Sequence, residues 1–203
     1  MKIGLYFGTF NPIHVGHLII ANHMAQQQDF DQIWLVVTPQ NPHKKKDSLL
    51  ADHIRLDMTK EAVLDHPKLF VSDIEFHLPK PNYTISTLTH LVEKYPQHQF
   101  SLLMGEDNLR SFHKWYNWEQ ILDKHHIYVY PRNLTTTEEV TPTKGLQQHP
   151  SIHLVPDVPV LGISASMIRA MLAKQLDCSF LLTEKVLKYI EDRGLYHKTK
   201  EGA

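Results

Sequence analysis

The chain has 203 residues, 42% of them hydrophobic and 21% charged, with 21 Lys and Arg against 22 Asp and Glu. This near-average balance excludes bulk disorder, and a net charge of −1 gives no general pull toward nucleic acid or an anionic membrane surface. The single cysteine, Cys178, cannot close an internal disulfide, which fits a reducing compartment and predicts a cytoplasmic protein. Clean apolar runs reach only about five residues, as in Ile33 to Val37, far short of a membrane span. Met1 to Phe10 lacks the apolar stretch of a secretory signal. The length favours one domain over residues 1–203.

Lys2 to Phe7 is a short apolar run, predicted to be a buried strand. His14 to Gln27 follows as a helix with Leu18, Ile19 and Ala25 among its inward side chains. Ile33 to Thr38, β-branched and aromatic, ends at Pro39 as a second strand. Ala51 to Leu64 has helical spacing of Ile54, Met58, Ala62 and Leu64, and Phe70 to Phe76 alternates as a third strand. Ile85 to Tyr95 reads as a helix that stops before Pro96. Phe100 to Met104 is a strand followed by a polar loop, then a helix near Trp118 to Lys124. Ile127 to Tyr130 and Ile152 to Val155 are late strands, separated by a polar, exposed connection over Arg132 to Pro150. Ser164 to Lys174 and Thr183 to Arg193 close the chain as helices, and the tail from His197 is expected to fray.

Repeated strand–helix alternation predicts an α/β fold on a mostly parallel sheet. Ligands of such sheets bind beyond the carboxyl ends of the strands, where the strand order reverses. The loops after strands are therefore the place to look for chemistry. Residues 8 to 18 read Gly-Thr-Phe-Asn-Pro-Ile-His-Val-Gly-His-Leu. Gly8 marks a tight turn after the first strand, and His14 and His17, three apart, share one face of a first helical turn. A helix start offers backbone N–H groups and the positive end of a dipole, so two imidazoles there make a cradle for a polyphosphate. The stretch is neither a Walker loop nor a dinucleotide fingerprint.

This stretch resembles the signature G-x-F-x-P-x-H-x-G-H of the nucleotidylyltransferase superfamily. Ile163-Ser164-Ala165-Ser166-Met167-Ile168-Arg169 resembles the superfamily's second signature, I-S-x-[ST]-x-[IV]-R. The Asn-Pro pair and the length are similar to the bacterial nicotinate-nucleotide adenylyltransferases. The resemblance covers roughly residues 1 to 195, and two motifs in the right order are more specific than either alone. It implies a Rossmann-like fold with helices on both faces of the sheet and a C-terminal helical part over about 164–195. The implied reaction is adenylyl transfer from ATP to nicotinate mononucleotide, with Mg²⁺ carried mainly on the ATP phosphates, no dedicated protein metal site and no covalent enzyme intermediate. Enzymes acting on nicotinamide mononucleotide or pantetheine phosphate share the fold and motifs. A non-catalytic nucleotide-binding regulator is the remaining alternative, disfavoured because both motif histidines are present. Homo-oligomerisation is left open.

Site residues follow from the resemblance position by position. His14 and His17 are implied to bind the ATP phosphates and stabilise the transition state, with Gly8, Thr9, Phe10 and Asn11 lining the nucleotide site. Ser164 and Ser166 are implied to hold phosphates while Arg169 adds positive charge, and Ser164 and Ser166 also suit a helix cap. Gly105 and Asp107, in the loop after the fourth strand, are implied to contact adenosine. Trp115 and Tyr116 resemble the aromatic segment that receives the nicotinate ring, Thr84 the threonine that touches the acceptor, and Thr87 a support for the same helix. Lys44, in a lysine run after the second strand, is the implied basic residue near the phosphates. The positive donors implied for the reaction are His14, His17, Lys44 and Arg169. The other histidines fall in no common motif.

Overall fold

The computed structural model describes residues 1–39, 49–132, 145–159 and 161–196. Six strands form one parallel sheet: β1 (Lys2–Gly8), β2 (Gln32–Val37), β3 (Leu69–Ser72), β4 (Gln99–Gly105), β5 (Ile127–Tyr130) and β6 (Ile152–Leu154). Their order across the sheet is β3-β2-β1-β4-β5-β6, the doubly wound arrangement in which the chain reverses direction between β1 and β4. Among the described residues seven α-helices connect and cover the strands: α1 (Val15–Gln27), α2 (Asp52–Val63), α3 (Thr84–Lys94), α4 (Glu106–Ser111), α5 (Trp118–Lys124), α6 (Ala165–Leu172) and α7 (Glu184–Asp192).

Side chains of successive strand residues point to opposite faces, and the core divides accordingly. One cluster joins Tyr6, Leu35 and Val37 to Met24 of α1, Met58 of α2, Ile168 of α6 and Ile190 of α7. The other joins Ile3, Leu5 and Val36 to Leu88 of α3, Leu109 of α4 and Ile121 of α5. Helices therefore lie on both faces, as the resemblance implied. Caps fix the two closing helices: the Ser164 hydroxyl accepts from Met167 N–H at 3.2 Å, and Thr183 from Val186 N–H at 3.4 Å. Among the described residues no helix is long and apolar enough to cross a membrane.

Three local readings need correction. The third strand ends at Ser72, and Ile74–His77 is a 3₁₀ turn that buries Ile74 and Glu75. The polar stretch after Met104 is helix α4, with Glu106 and Asp107 in its first turn, where acidic side chains complement the helix dipole. Leu64 lies past the end of α2 and is exposed, while Leu56 and Val63 take the core side. Much of the connection expected over 132–150, the tail from His197, and Lys44 lie outside the described residues.

Candidate active site

β1 ends at Gly8, and the chain crosses the switch point through Thr9 to Ile13 before α1 begins. Phe10 sits in the left-handed region at φ 43°, an uncommon conformation for a non-glycine residue. Burial of its ring offsets that strain. The ring stands edge-on to Tyr6 and to His17, with centroids 5.9 and 5.1 Å apart. A Cβ on Gly8 would lie 2.7 Å from this ring, which explains the glycine. Phe10 thus props the His17 imidazole from below and presents almost no surface to a ligand.

His14 is the N-cap of α1, and its ring packs face to face with that of His17. His17 Nδ1 accepts the His14 backbone N–H at 3.3 Å, so a neutral His17 carries its proton on Nε2. His14 is buried, and this burial, helped by the Arg132 guanidinium, pushes its imidazole down to about 4. At neutral pH His14 is an uncharged hydrogen-bonding group in the ligand-free protein, which corrects the expectation of a positive donor there. A Cβ on Gly16 would come within 3.0 Å of His14 Nδ1, so the glycine between the two histidines makes room for the stacked ring. The Val15 N–H, at the first position of α1, donates to the Leu181 carbonyl at 3.0 Å.

The second motif folds back onto the first. Arg169 donates through Nη1 to the Asn11 carbonyl at 2.8 Å and through Nη2 to the Ser166 hydroxyl at 3.1 Å, across 158 positions of sequence in the first case. Asn11 is itself buried, and its Oδ1 accepts from the Tyr196 hydroxyl at 2.8 Å and from Leu50 N–H at 3.5 Å. On the other side of the switch point, Gly105 ends β4 and caps α4. Asp107 Oδ2 accepts from Arg132 Nη1 at 2.8 Å, while its Oδ1 is buried without a partner among the described residues.

The predicted acceptor residues gather at α3 and α5. Thr84 opens α3, and the preceding Tyr83 ring lies 4.8 Å from the Tyr116 ring. Tyr116 is 57% exposed, whereas Trp115 is half-buried, edge-on to Phe112 at 5.4 Å. Trp118, also partly buried, packs edge-on to Phe112 at 5.9 Å against the same core cluster. Thr87 is fully buried and donates its hydroxyl to Glu75 Oε1 at 2.8 Å.

Four residues of this region carried no usable local signal. Arg132 follows β5, the general position for a ligand residue of a parallel sheet, but Pro131-Arg132 reads as an ordinary loop start. Tyr196 lies in the segment just before the tail. Arg55 sits between Ile54 and Leu56 of α2, completely buried. Its guanidinium donates to the carbonyls of Thr9, Thr38 and Leu50 and pairs with Asp52 Oδ1 at 2.6 Å, joining the loop after β1 to the end of β2. Glu75 is buried with the same lack of warning. Among the described residues no three His, Cys, Asp or Glu side chains gather as a metal site.

Two stacked imidazoles and a tethered arginine thus stand together at the switch point of a parallel sheet. The cytidylyltransferase-like family matches residues 5–171. A protein of Flavobacterium psychrophilum, described as a probable nicotinate-nucleotide adenylyltransferase, is 54% identical over 98% of this chain and 100% of its own length. A protein of Flavobacterium johnsoniae with the same description is 56% identical over the same shares, and one of Bacteroides fragilis is 40% identical over 93% of this chain and 90% of its own. The fold is also that of the Plasmodium falciparum nicotinic acid mononucleotide adenylyltransferase solved in complex with NaAD, at a TM-score of 0.76 and 21% identity over 96% of this chain and 97% of that one. The chain belongs to the cytidylyltransferase-like family and, within it, to the nicotinate-nucleotide adenylyltransferases.

Proposed function

We propose that the chain transfers the adenylyl group of ATP to nicotinate mononucleotide, giving deamido-NAD and pyrophosphate in the biosynthesis of NAD. The observation that carries this reading is the His14–His17 pair, held at the strand-order switch and tied to the second motif through Asn11 and Arg169. A 5′-phosphate oxygen of the mononucleotide attacks the α-phosphorus of ATP in line. The bond from that phosphorus to the bridging oxygen of the β-phosphate breaks, and pyrophosphate leaves with the electron pair. The nucleophile is already anionic, so the protein needs no strong base and acts by positioning and charge stabilisation. His17 donates from Nε2 to phosphate oxygens, His14 supplies a second imidazole, and Arg169 supplies a fixed positive charge. Ser164 and Ser166 add hydroxyls beside the triphosphate, and the backbone of Gly8, Thr9 and Asn11 shapes the loop around it. Gly105 and Asp107, with Arg132, border the adenosine end. Thr84, Trp115 and Tyr116 receive the acceptor, and Lys44 completes the positive surroundings.

A Mg²⁺ ion would be held mainly by phosphate oxygens and water. When bound, it neutralises charge on the phosphates. We read residues 1–203 as one domain, because α6 and α7 share a core cluster with α1 and α2. The substrates and the absence of a membrane-length helix among the described residues suit a cytoplasmic enzyme.

The test is pyrophosphate release from ATP and Mg²⁺ with nicotinate mononucleotide, nicotinamide mononucleotide and phosphopantetheine in turn. Donors aimed at both carboxylate oxygens discriminate against the carboxamide, since each buried unpaired donor costs about 1–3 kcal/mol. Two such contacts give a preference for nicotinate mononucleotide of about 10³. No release with that acceptor overturns the reading.

A further inference from the structure

Glu75 is a charged residue type in a place where such residues are rare. It lies in the 3₁₀ turn after β3 and is 2% exposed. Among the described residues no arginine, lysine or histidine pairs with it. Its surroundings are neutral: the Thr87 hydroxyl donates to Oε1 at 2.8 Å, the Thr38 side chain stands beside the carboxyl, and Oε2 has no partner among the described hydrogen bonds. The backbone carbonyl of Glu75 accepts from Asn82 Nδ2 at 2.9 Å. These partners come from two places that matter to the site. Thr38 follows the carboxyl end of β2, and its own carbonyl is gripped by Arg55 together with that of Thr9. Asn82 and Thr87 bracket the start of α3, where Thr84 opens the helix and the Tyr83 ring lies tilted against that of Tyr116. One buried side chain thus joins the end of β2 to the helix turn that carries the acceptor residues.

We propose that Glu75 is a positioning residue for the acceptor: its carboxyl fixes the first turn of α3 against the end of β2, and so sets where Thr84 and Tyr116 stand. This rests on the adenylyl-transfer reading above. Burial pushes its proton affinity up, and the neighbouring hydroxyls of Thr87 and Thr38 oppose this only in part. Glutamine keeps the shape of this side chain, and its carbonyl accepts from Thr87 just as Oε1 does.

Steady-state kinetics of Glu75→Gln, Glu75→Ala and Thr87→Val, with ATP and nicotinate mononucleotide varied separately, test this. Glu75→Gln keeps both KM values within about threefold of wild type, as a volume-conserving exchange should. Glu75→Ala raises KM for the mononucleotide about tenfold, the scale of one lost buried hydrogen bond, while KM for ATP stays within about twofold. Thr87→Val removes only the hydroxyl and keeps the volume, so it moves the same KM in the same direction by about three- to tenfold even if the alanine variant does not fold. Unshifted acceptor KM in Thr87→Val, or equal rises for both substrates in a folded Glu75→Ala, overturns the role of Glu75. Wild-type protein in the same assay separates the two levels: its failure to turn over removes the functional reading, whereas normal wild-type turnover with unshifted variants removes only this inference.

Discussion

The imidazoles of His14 and His17 lie face to face, ring centroids 3.7 Å apart and planes 26° from parallel. Two cations cannot share that separation cheaply, and burial together with Arg132 already keeps His14 neutral down to about pH 4. The sign of the resulting pH dependence follows. An unfolded histidine takes up its proton near pH 6.5, but the folded His14 refuses it until about 4. The contribution to stability is complete above about pH 6.5 and is lost as the pH falls through that window, with a size on the order of 2–3 kcal/mol. His14→Asn should therefore lose less stability than wild type between pH 7 and pH 4.5 in urea unfolding. Parallel losses in the two proteins would show that His14 titrates normally.

His17→Ala should leave the fold intact and lower kcat by about 10² to 10³, the usual effect of removing one preorganised donor to a transition state. Circular dichroism and pyrophosphate release on the same preparation check both halves. A variant within a few-fold of wild type would exclude His17 from the chemistry.

Gly16→Ala isolates geometry from chemistry, since it removes no functional group. Its new methyl would press on the His14 ring from 3.0 Å. The ring must shift by a few tenths of an ångström, and misplacing a catalytic group by about 1 Å can cost about 10²-fold in rate. The expected loss is about tenfold in kcat, with a melting temperature close to wild type. A fully active Gly16→Ala would mean that the stack is not needed for turnover.

Arg55→Met tests the brace between the loop after β1 and the end of β2. Methionine keeps much of the apolar stem but leaves the Thr9, Thr38 and Leu50 carbonyls without their donor. Each buried unpaired group costs about 1–3 kcal/mol, so a total near 3 kcal/mol is expected in chemical denaturation, with a rise in KM for ATP as the Thr9 loop loosens. A loss below about 1 kcal/mol would put these carbonyls in contact with water.

Tyr116 and Trp115 differ in exposure and should differ in phenotype. Tyr116→Ala removes an exposed ring and should raise KM for the acceptor with little change in melting temperature. Trp115→Ala also strips an edge-on contact from Phe112 and should cost about 3 kcal/mol of stability or more besides. Thermal melts beside the KM values for both mononucleotides distinguish a stacking role from a purely structural one.

The sequence alone determined the strand–helix order, the parallel sheet and the two motifs, because those depend on local periodicity, turn residues and helix caps. Gly8, His14 and His17 stood out through their spacing in one short stretch, whereas Ser164 and Arg169 were singled out only by the resemblance. Helix α4 was not, since Glu106 to Ser111 is polar and short, and its position at the end of β4 is what organises it. Tertiary structure alone decided that Arg169 meets Asn11, that Tyr196 returns to the same residue, and that Arg55 and Glu75 lie in the interior. An arginine or a glutamate has no apolar signature to announce burial. Whether it can leave water depends on carbonyls and hydroxyls supplied by segments distant in the chain, here Thr9 and Thr38 for the one and Thr87 for the other.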